Sequence, residues 1–201
     1  MLVEAPARQP SGELIVGFHG YGEAAEAMLE RLAAIPGRGG RVLAAVQALH
    51  PFYRRSSGEV VASWMTRQDR ELAIEDNVAY VSSVLARLRD DWPRARPLIL
   101  AGFSQGVAMA YRAAAADGAC NGLIVLGGDV PPELTDDTLA ALPPILLGRG
   151  ERDTGYPAEQ LDRDLERLRQ AGTTVELAVF DGGHEWTPRF ADICAAWLDR
   201  L

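Results

Sequence analysis

Five consecutive residues, Gly102-Phe103-Ser104-Gln105-Gly106, carry the clearest chemical signal in this chain. They follow the apolar run Pro97 to Ala101 and precede Val107 to Ala116, an alanine-rich stretch of helical character. A strand, then GxSxG, then a helix is the pattern that raises a serine hydroxyl on a very sharp turn, where side chains two residues before and two after would collide. The competing reading is a serine that merely caps a helix. Both glycines and both flanking elements would then coincide by chance, so Ser104 is the nucleophile candidate.

A serine hydroxyl is a poor nucleophile until a base removes its proton. The chain offers three histidines, His19, His50 and His184. His184 is the best placed, in Asp181-Gly182-Gly183-His184-Glu185 just past the apolar run Val175 to Phe180. Histidine as a residue type titrates near 6.5 and so can take and return a proton at neutral pH. The base also needs an orienting carboxylate. Asp153, in Gly148-Arg149-Gly150-Glu151-Arg152-Asp153, follows the run Ile145 to Leu147, while Glu151 and Asp129 are the competitors. With Asp153 the chain order is Ser, Asp, His, which differs from the chymotrypsin and subtilisin orders.

Attack on a carbonyl creates an oxyanion, which two backbone N–H groups usually stabilise. Gln105, the residue after the serine, supplies one, and the loop Phe18-His19-Gly20-Tyr21-Gly22-Glu23 supplies the other through the Tyr21 N–H. His19 then reads as a residue that holds this loop. A zinc site built from His19, His50 and His184 lacks any HxH or HExxH spacing, so no metal is expected.

These groups need a scaffold that brings distant loops together. Short apolar runs alternate with amphipathic stretches along the whole chain, which predicts an α/β class: a mostly parallel sheet with helices on both faces. Candidate strands are Leu14 to Phe18, Val42 to Leu49, Leu98 to Phe103, Leu123 to Leu126, Ile145 to Leu147 and Val175 to Phe180. Their continuous apolar character predicts burial on both faces. Ile74, Val78, Val81, Leu85 and Leu88 mark one helix, and Ala158, Leu161, Leu165 and Leu168 another. The second helix carries Glu159, Asp162, Arg163, Asp164, Glu166, Arg167 and Arg169, read as a solvated face. A last helix is expected from Pro188 to Leu201, with Phe190, Ile193, Trp197 and Leu201 inward. Pro36 to Gly40 and Val130 to Pro132 read as turns. In such sheets ligands bind beyond the carboxyl ends of the strands, where Ser104, Asp153 and His184 all fall.

At 201 residues the chain has room for a single domain, 1–201, and 48% apolar content suits a globular one. No run approaches the length of a membrane helix, and the N-terminus lacks a signal pattern, so a cytoplasmic protein without a membrane span is expected. With 28 acidic against 20 basic residues, the net charge of −8 argues against nucleic acid as a partner. The sequence leaves a homodimer open. Cys120 and Cys194 read as reduced thiols.

The chain resembles the phospholipase/carboxylesterase family of α/β-hydrolases, small uncapped esterases that include the acyl-protein thioesterases. The resemblance rests on Gly102 to Gly106, Phe18-His19-Gly20, Ser63-Trp64, Gly150-Glu151-Arg152-Asp153, Leu168-Arg169-Gln170-Ala171-Gly172 and Gly183-His184-Glu185, in matching order over nearly the whole chain. It implies Ser104, Asp153 and His184 as the triad, Tyr21 and Gln105 at the oxyanion hole, no cofactor, and a small-molecule ester or thioester substrate. The chain departs from the family pattern at Trp64-Met65-Thr66, Tyr21, Glu23 and Gly148-Arg149-Gly150. These departures bear on the substrate pocket, for which Trp64, Met65 and Trp186, with Phe52 and Tyr53, are candidate apolar walls, although large apolar residues are more often plain core. Arg54 and Arg55 read first as a solvated loop, with attraction of a substrate carboxylate or phosphate as the alternative.

Overall fold

Runs of branched apolar residues in this chain fold as strands buried on both faces. The computed structural model describes residues 1–7, 10–37 and 39–201. Its elements in chain order are β1 (Leu2–Glu4), β2 (Leu14–Phe18), α1 (Ala25–Ala33), β3 (Val42–Val46), β4 (His50–Tyr53), β5 (Val60–Ser63), α2 (Arg70–Asp91), β6 (Leu98–Phe103), α3 (Gln105–Asp117), β7 (Gly122–Leu126), α4 (Asp136–Ala140), β8 (Ile145–Gly150), α5 (Ala158–Gln170), β9 (Val175–Phe180) and α6 (Pro188–Leu198). The main sheet has the order β1-β3-β2-β6-β7-β8-β9, parallel except for β1, and β4 and β5 form a separate antiparallel pair.

Alternate side chains of each strand enter opposite cores. Val16, Phe18, Leu100, Val125 and Leu147 pack with Leu85 and Leu88 of α2, Met109 and Tyr111 of α3, and Leu161 and Leu165 of α5. Ile15, Ile99, Ile124 and Leu146 pack with Met28 and Leu32 of α1 and Phe190, Cys194 and Trp197 of α6. Burying one such side chain is worth about 1.5–3 kcal/mol. An exposed ion pair such as Arg200–Glu176 contributes about 1 kcal/mol or less, so the two cores hold the strand ends in place.

Several elements differ from the sequence reading. The strand expected over Val42 to Leu49 stops at Val46. Beyond it, side chains capture the chain: Gln47 Oε1 accepts from the Ala25 N–H at 2.7 Å, and the Ala48 N–H donates to His19 Nε2 at 3.2 Å. The last helix ends at Leu198, and Leu201 is 49% exposed instead of facing inward. β9 is an edge strand, so Leu177 and Val179 stand exposed although Ala178 and Phe180 are buried. Asp164, expected on a solvated face, is buried 4% exposed. It shares the inward stripe of Leu161, Leu165 and Leu168, and its carboxylate is satisfied by the Tyr156 hydroxyl at 2.9 Å and the Val130 N–H at 3.2 Å. In the turn expected over Pro36 to Gly40, Arg38 lies outside the described residues. No helix among the described residues is long and apolar enough to cross a membrane, and Cys120 and Cys194 are free thiols.

Candidate active site

The register of the sheet assembles the site. Phe18 of β2 pairs with Gly102 of β6, so the loop after β2 lies beside the turn that carries Ser104. Gly150 of β8 pairs with Phe180 of β9, which brings the loops holding Asp153 and His184 together. All four loops leave the carboxyl edge of the sheet.

Ser104 sits between β6 and α3 at φ 53° and ψ −121°, a backbone conformation that non-glycine residues rarely adopt. The flanking glycines are sterically required. A Cβ on Gly106 would stand 2.0 Å from the Phe18 carbonyl oxygen, and one on Gly102 would stand 2.6 Å from the Gly106 carbonyl oxygen. The Ser104 N–H donates to the Leu126 carbonyl at 2.9 Å, tying the turn to the end of β7.

His184 Nε2 lies 2.9 Å from Ser104 Oγ, and its Nδ1 lies 2.9 Å from both carboxylate oxygens of Asp153. A carboxylate accepts only, so Nδ1 carries the proton and Nε2 is free to accept from the serine hydroxyl. Asp153 is itself held: its Oδ1 accepts the Gly155 N–H at 2.8 Å and the Tyr156 N–H at 2.9 Å. Arg149, buried behind this loop, donates from Nε to the Tyr156 carbonyl at 2.8 Å and from Nη2 to the Asp153 carbonyl at 3.1 Å. The sequence singled out Arg149 only as a departure from the family pattern, and its place identifies it as the brace of the Asp153 loop. Of the competing carboxylates, Glu151 and Asp129 are both exposed and neither is bonded to His184.

In the loop Gly20 to Glu23, three amides are occupied. Gly20 N–H donates to Glu23 Oε2 at 2.8 Å, Gly22 N–H to the Ala62 carbonyl at 3.0 Å and Glu23 N–H to the Gly20 carbonyl at 3.3 Å. The Tyr21 N–H has no partner among the described residues. Gln105 heads α3, so its N–H is one of the first-turn donors that no helical carbonyl reaches. Its side chain has a further part that the sequence did not reveal: Oε1 accepts the Trp64 N–H at 2.9 Å and Nε2 donates to the Met65 carbonyl at 3.2 Å, pinning the end of β5.

Of the three candidate wall residues, only Trp186 reaches the cavity beside Ser104. That cavity of about 360 Å³ is lined by Gly20, Tyr21, Glu23, Arg31, Phe103, Ser104, His184, Glu185 and Trp186. Trp64 is instead a core residue, 1% exposed, edge-on to Phe18 and donating its indole N–H to the His19 carbonyl at 2.8 Å. Met65 is half-buried beside Arg112, with its Sδ 3.9 Å from Nη1. Phe52 packs on Tyr21, and Tyr53 is exposed.

His19 is fully buried beneath Trp64. The Ala48 N–H fixes its Nε2 as an acceptor, so Nδ1 donates to the Gly20 carbonyl at 2.8 Å, and burial lowers its pKa, keeping the ring neutral. It holds the loop, as expected. Among the described residues no three His, Cys, Asp or Glu side chains cluster as a metal site.

Arg54 turns away from the cavity. Its guanidinium donates to the Gly22 carbonyl at 2.5 Å and faces Glu59 at 3.7 Å, in a groove that also holds Glu23, Glu26 and Glu30. Neither Arg54 nor Arg55 is among the residues that line the cavity beside Ser104. Replacing Arg54 and Arg55 together with Gln is expected to leave the ratio of kcat/KM for an anionic ester to that for a neutral ester of equal acyl length within about twofold. A tenfold selective loss on the anionic ester, about 1.4 kcal/mol, would restore the attraction.

No family model matches the chain, and no curated protein does. Solved structures do. Esterase PE8 is similar at a TM-score of 0.79 and 22% identity, covering 100% of this chain and 97% of that one. Acyl-protein thioesterase 2 of Zea mays is similar at 0.77 and 19% identity, covering 99% and 97%. A carboxylesterase of Bacillus cereus is similar at 0.77 and 14% identity, covering 99% and 92%. At these identities the likeness establishes the fold, an α/β-hydrolase sheet and helix arrangement over the full chain.

Proposed function

We propose that this protein is a cofactor-free serine hydrolase acting on carboxylic ester or thioester bonds. The observation that carries the reading is the unbroken line Ser104 Oγ, His184 Nε2, His184 Nδ1, Asp153 carboxylate, each link 2.9 Å, at the mouth of a cavity. The names of the structural neighbours, an esterase, a thioesterase and a carboxylesterase, support the same bond class.

In this reading Ser104 Oγ attacks the carbonyl carbon while His184 Nε2 takes its proton. The oxyanion receives hydrogen bonds from the Tyr21 and Gln105 N–H groups. His184 then returns the proton to the alcohol or thiol leaving group, which departs and leaves an acyl-enzyme. Water, deprotonated by His184, attacks that ester, and the tetrahedral species collapses to release the acid and restore Ser104. Asp153 stays ionised throughout, holding the imidazole and stabilising its charged form. The cavity is small and open to solvent, which suits short acyl groups or ones presented on a surface. Two free thiols support a cytoplasmic setting.

A matched panel of an ester, a thioester and an amide of one short acyl group tests the bond class. Hydrolysis of the ester and thioester, at least about a hundredfold faster than of the amide and undiminished by EDTA, is the expected result. Preferential amide cleavage would make the protein a peptidase, and reversible loss in EDTA would reinstate a metal role for the histidines.

A further inference from the structure

Next to the line of Ser104, His184 and Asp153 lies a second set of contacts that this line does not use. Arg31 of α1 grips Glu23 with both ends of its guanidinium, Nη1 to Oε2 at 2.7 Å and Nη2 to Oε1 at 2.5 Å. The pair is largely buried, 18% and 22% exposed. The same Oε2 accepts the Gly20 N–H at 2.8 Å. The guanidinium carbon of Arg31 lies over the Phe103 ring, 4.2 Å from its centre, and that ring packs on the His184 imidazole at 5.1 Å.

We propose that Arg31 is a positioning residue for hydrolysis: through Glu23 it anchors the His19–Gly20 peptide by the Gly20 N–H, and thereby helps to aim the Tyr21 N–H of the next peptide at the oxyanion. The inference rests on the serine hydrolase reading and extends it to a residue 73 positions before the nucleophile in sequence.

Gly22 and Glu23 are fastened to β5, through Gly22 N–H to the Ala62 carbonyl at 3.0 Å and the Ala62 N–H to the Glu23 carbonyl at 2.8 Å. This fixes one end of the Tyr21 peptide. The Gly20 carbonyl, on the same peptide as the Tyr21 N–H, accepts from His19 Nδ1 at 2.8 Å and from the Glu23 N–H at 3.3 Å, and the peptide before it is held through the Gly20 N–H, whose acceptor is the Glu23 side chain. A carboxylate this buried keeps its place and charge only with a partner. Burial alone would push the Glu23 carboxyl up, yet the hydrogen bonds and charge of Arg31, with the Gly20 N–H, hold it below the usual carboxylate range. Gly20 lies close against both groups, since a Cβ there would stand 3.0 Å from Glu23 Oε2 and 3.3 Å from Ser104 Cβ. Arg31 thus links α1 to the loop on one side and, through Phe103, to the residue before the nucleophile on the other. An oxyanion donor acts in the transition state and hardly in the bound ground state, so a misaimed Tyr21 N–H lowers kcat and spares KM.

The test uses the full chain with a short p-nitrophenyl ester, comparing wild type, Arg31→Met, Glu23→Gln and the double variant. Arg31→Met is expected to lose about ten- to thirtyfold in kcat with KM within twofold. Glu23→Gln, which can still accept the Gly20 N–H but offers Arg31 no charge, should lose about threefold. The double variant should be no worse than Arg31→Met, since both residues act through one hydrogen bond. A fluorophosphonate should still label Ser104 in every variant, more slowly in step with kcat. Unchanged kcat in Arg31→Met with a lowered Tm, a rise in KM alone, or additive losses in the double variant would each overturn the proposal. Should Arg31→Met fail to fold, Glu23→Gln decides it alone, an unchanged kcat being the overturning result. A wild-type chain that neither hydrolyses esters nor takes the label would instead overturn the hydrolase reading itself.

Discussion

Ser104→Ala is expected to lose at least about 10⁴-fold in kcat on a short ester, on the order of 5.4 kcal/mol of transition-state stabilisation, with no burst of product. The size follows from what is removed: the atom that forms the acyl bond and the hydroxyl that His184 Nε2 meets at 2.9 Å. Little else changes. Alanine keeps the Cβ and the backbone of the turn, and the Ser104 N–H still donates to the Leu126 carbonyl. Its melting temperature should therefore match that of the wild type within a degree or two. Ser104→Gly is the informative companion, because glycine adopts φ 53° without strain and should unfold at or above the wild-type temperature while remaining equally inactive. Burst kinetics retained in either variant would remove Ser104 from the covalent step.

Asp153→Asn should cost about 10⁴-fold in kcat, the scale known for this exchange in a serine protease triad, with KM nearly unchanged. The surroundings dictate how. The Gly155 and Tyr156 N–H groups both point at Oδ1 and demand an acceptor there, at 2.8 and 2.9 Å. The asparagine must place its oxygen at that position and its NH₂ where Oδ2 now faces His184 Nδ1. An amide that donates to Nδ1 forces the imidazole proton onto Nε2, which can then no longer accept from Ser104. Steady-state kinetics on the purified variant checks this, and activity within tenfold of wild type would mean that Asp153 is not the group that orients the base.

Much of this site was legible in the sequence because its parts obey local rules. The turn around Ser104 announces itself through two glycines whose Cβ atoms would strike backbone at 2.0 and 2.6 Å. Strands β2, β6 and β7 are continuous apolar runs that can only be buried on both faces. Other parts have no local signature. α1 (Ala25–Ala33) starts at an alanine without a capping side chain, and only Met28 and Leu32 mark its inner face among the alanines, so its periodicity is faint. The β4–β5 pair is short and half exposed. Asp164 breaks the rule that charges face water, and only its spacing from Leu161, Leu165 and Leu168 hinted at an inward position. For Trp64 the sequence leaves pocket wall and plain core both open, because aromatic size does not say which way a side chain points; its indole N–H meets the His19 carbonyl inside the fold. Arg31 and Arg149 were invisible as site residues, since each acts through a bond to a loop that only the tertiary fold brings near.

The most direct measurement of the central claim is covalent labelling of the folded wild-type chain with a fluorophosphonate, read by intact mass and peptide mapping. One adduct per chain is expected, located on Ser104, that does not form in Ser104→Ala and forms far more slowly in Asp153→Asn. No adduct on folded protein, or an adduct on any other residue, would contradict it.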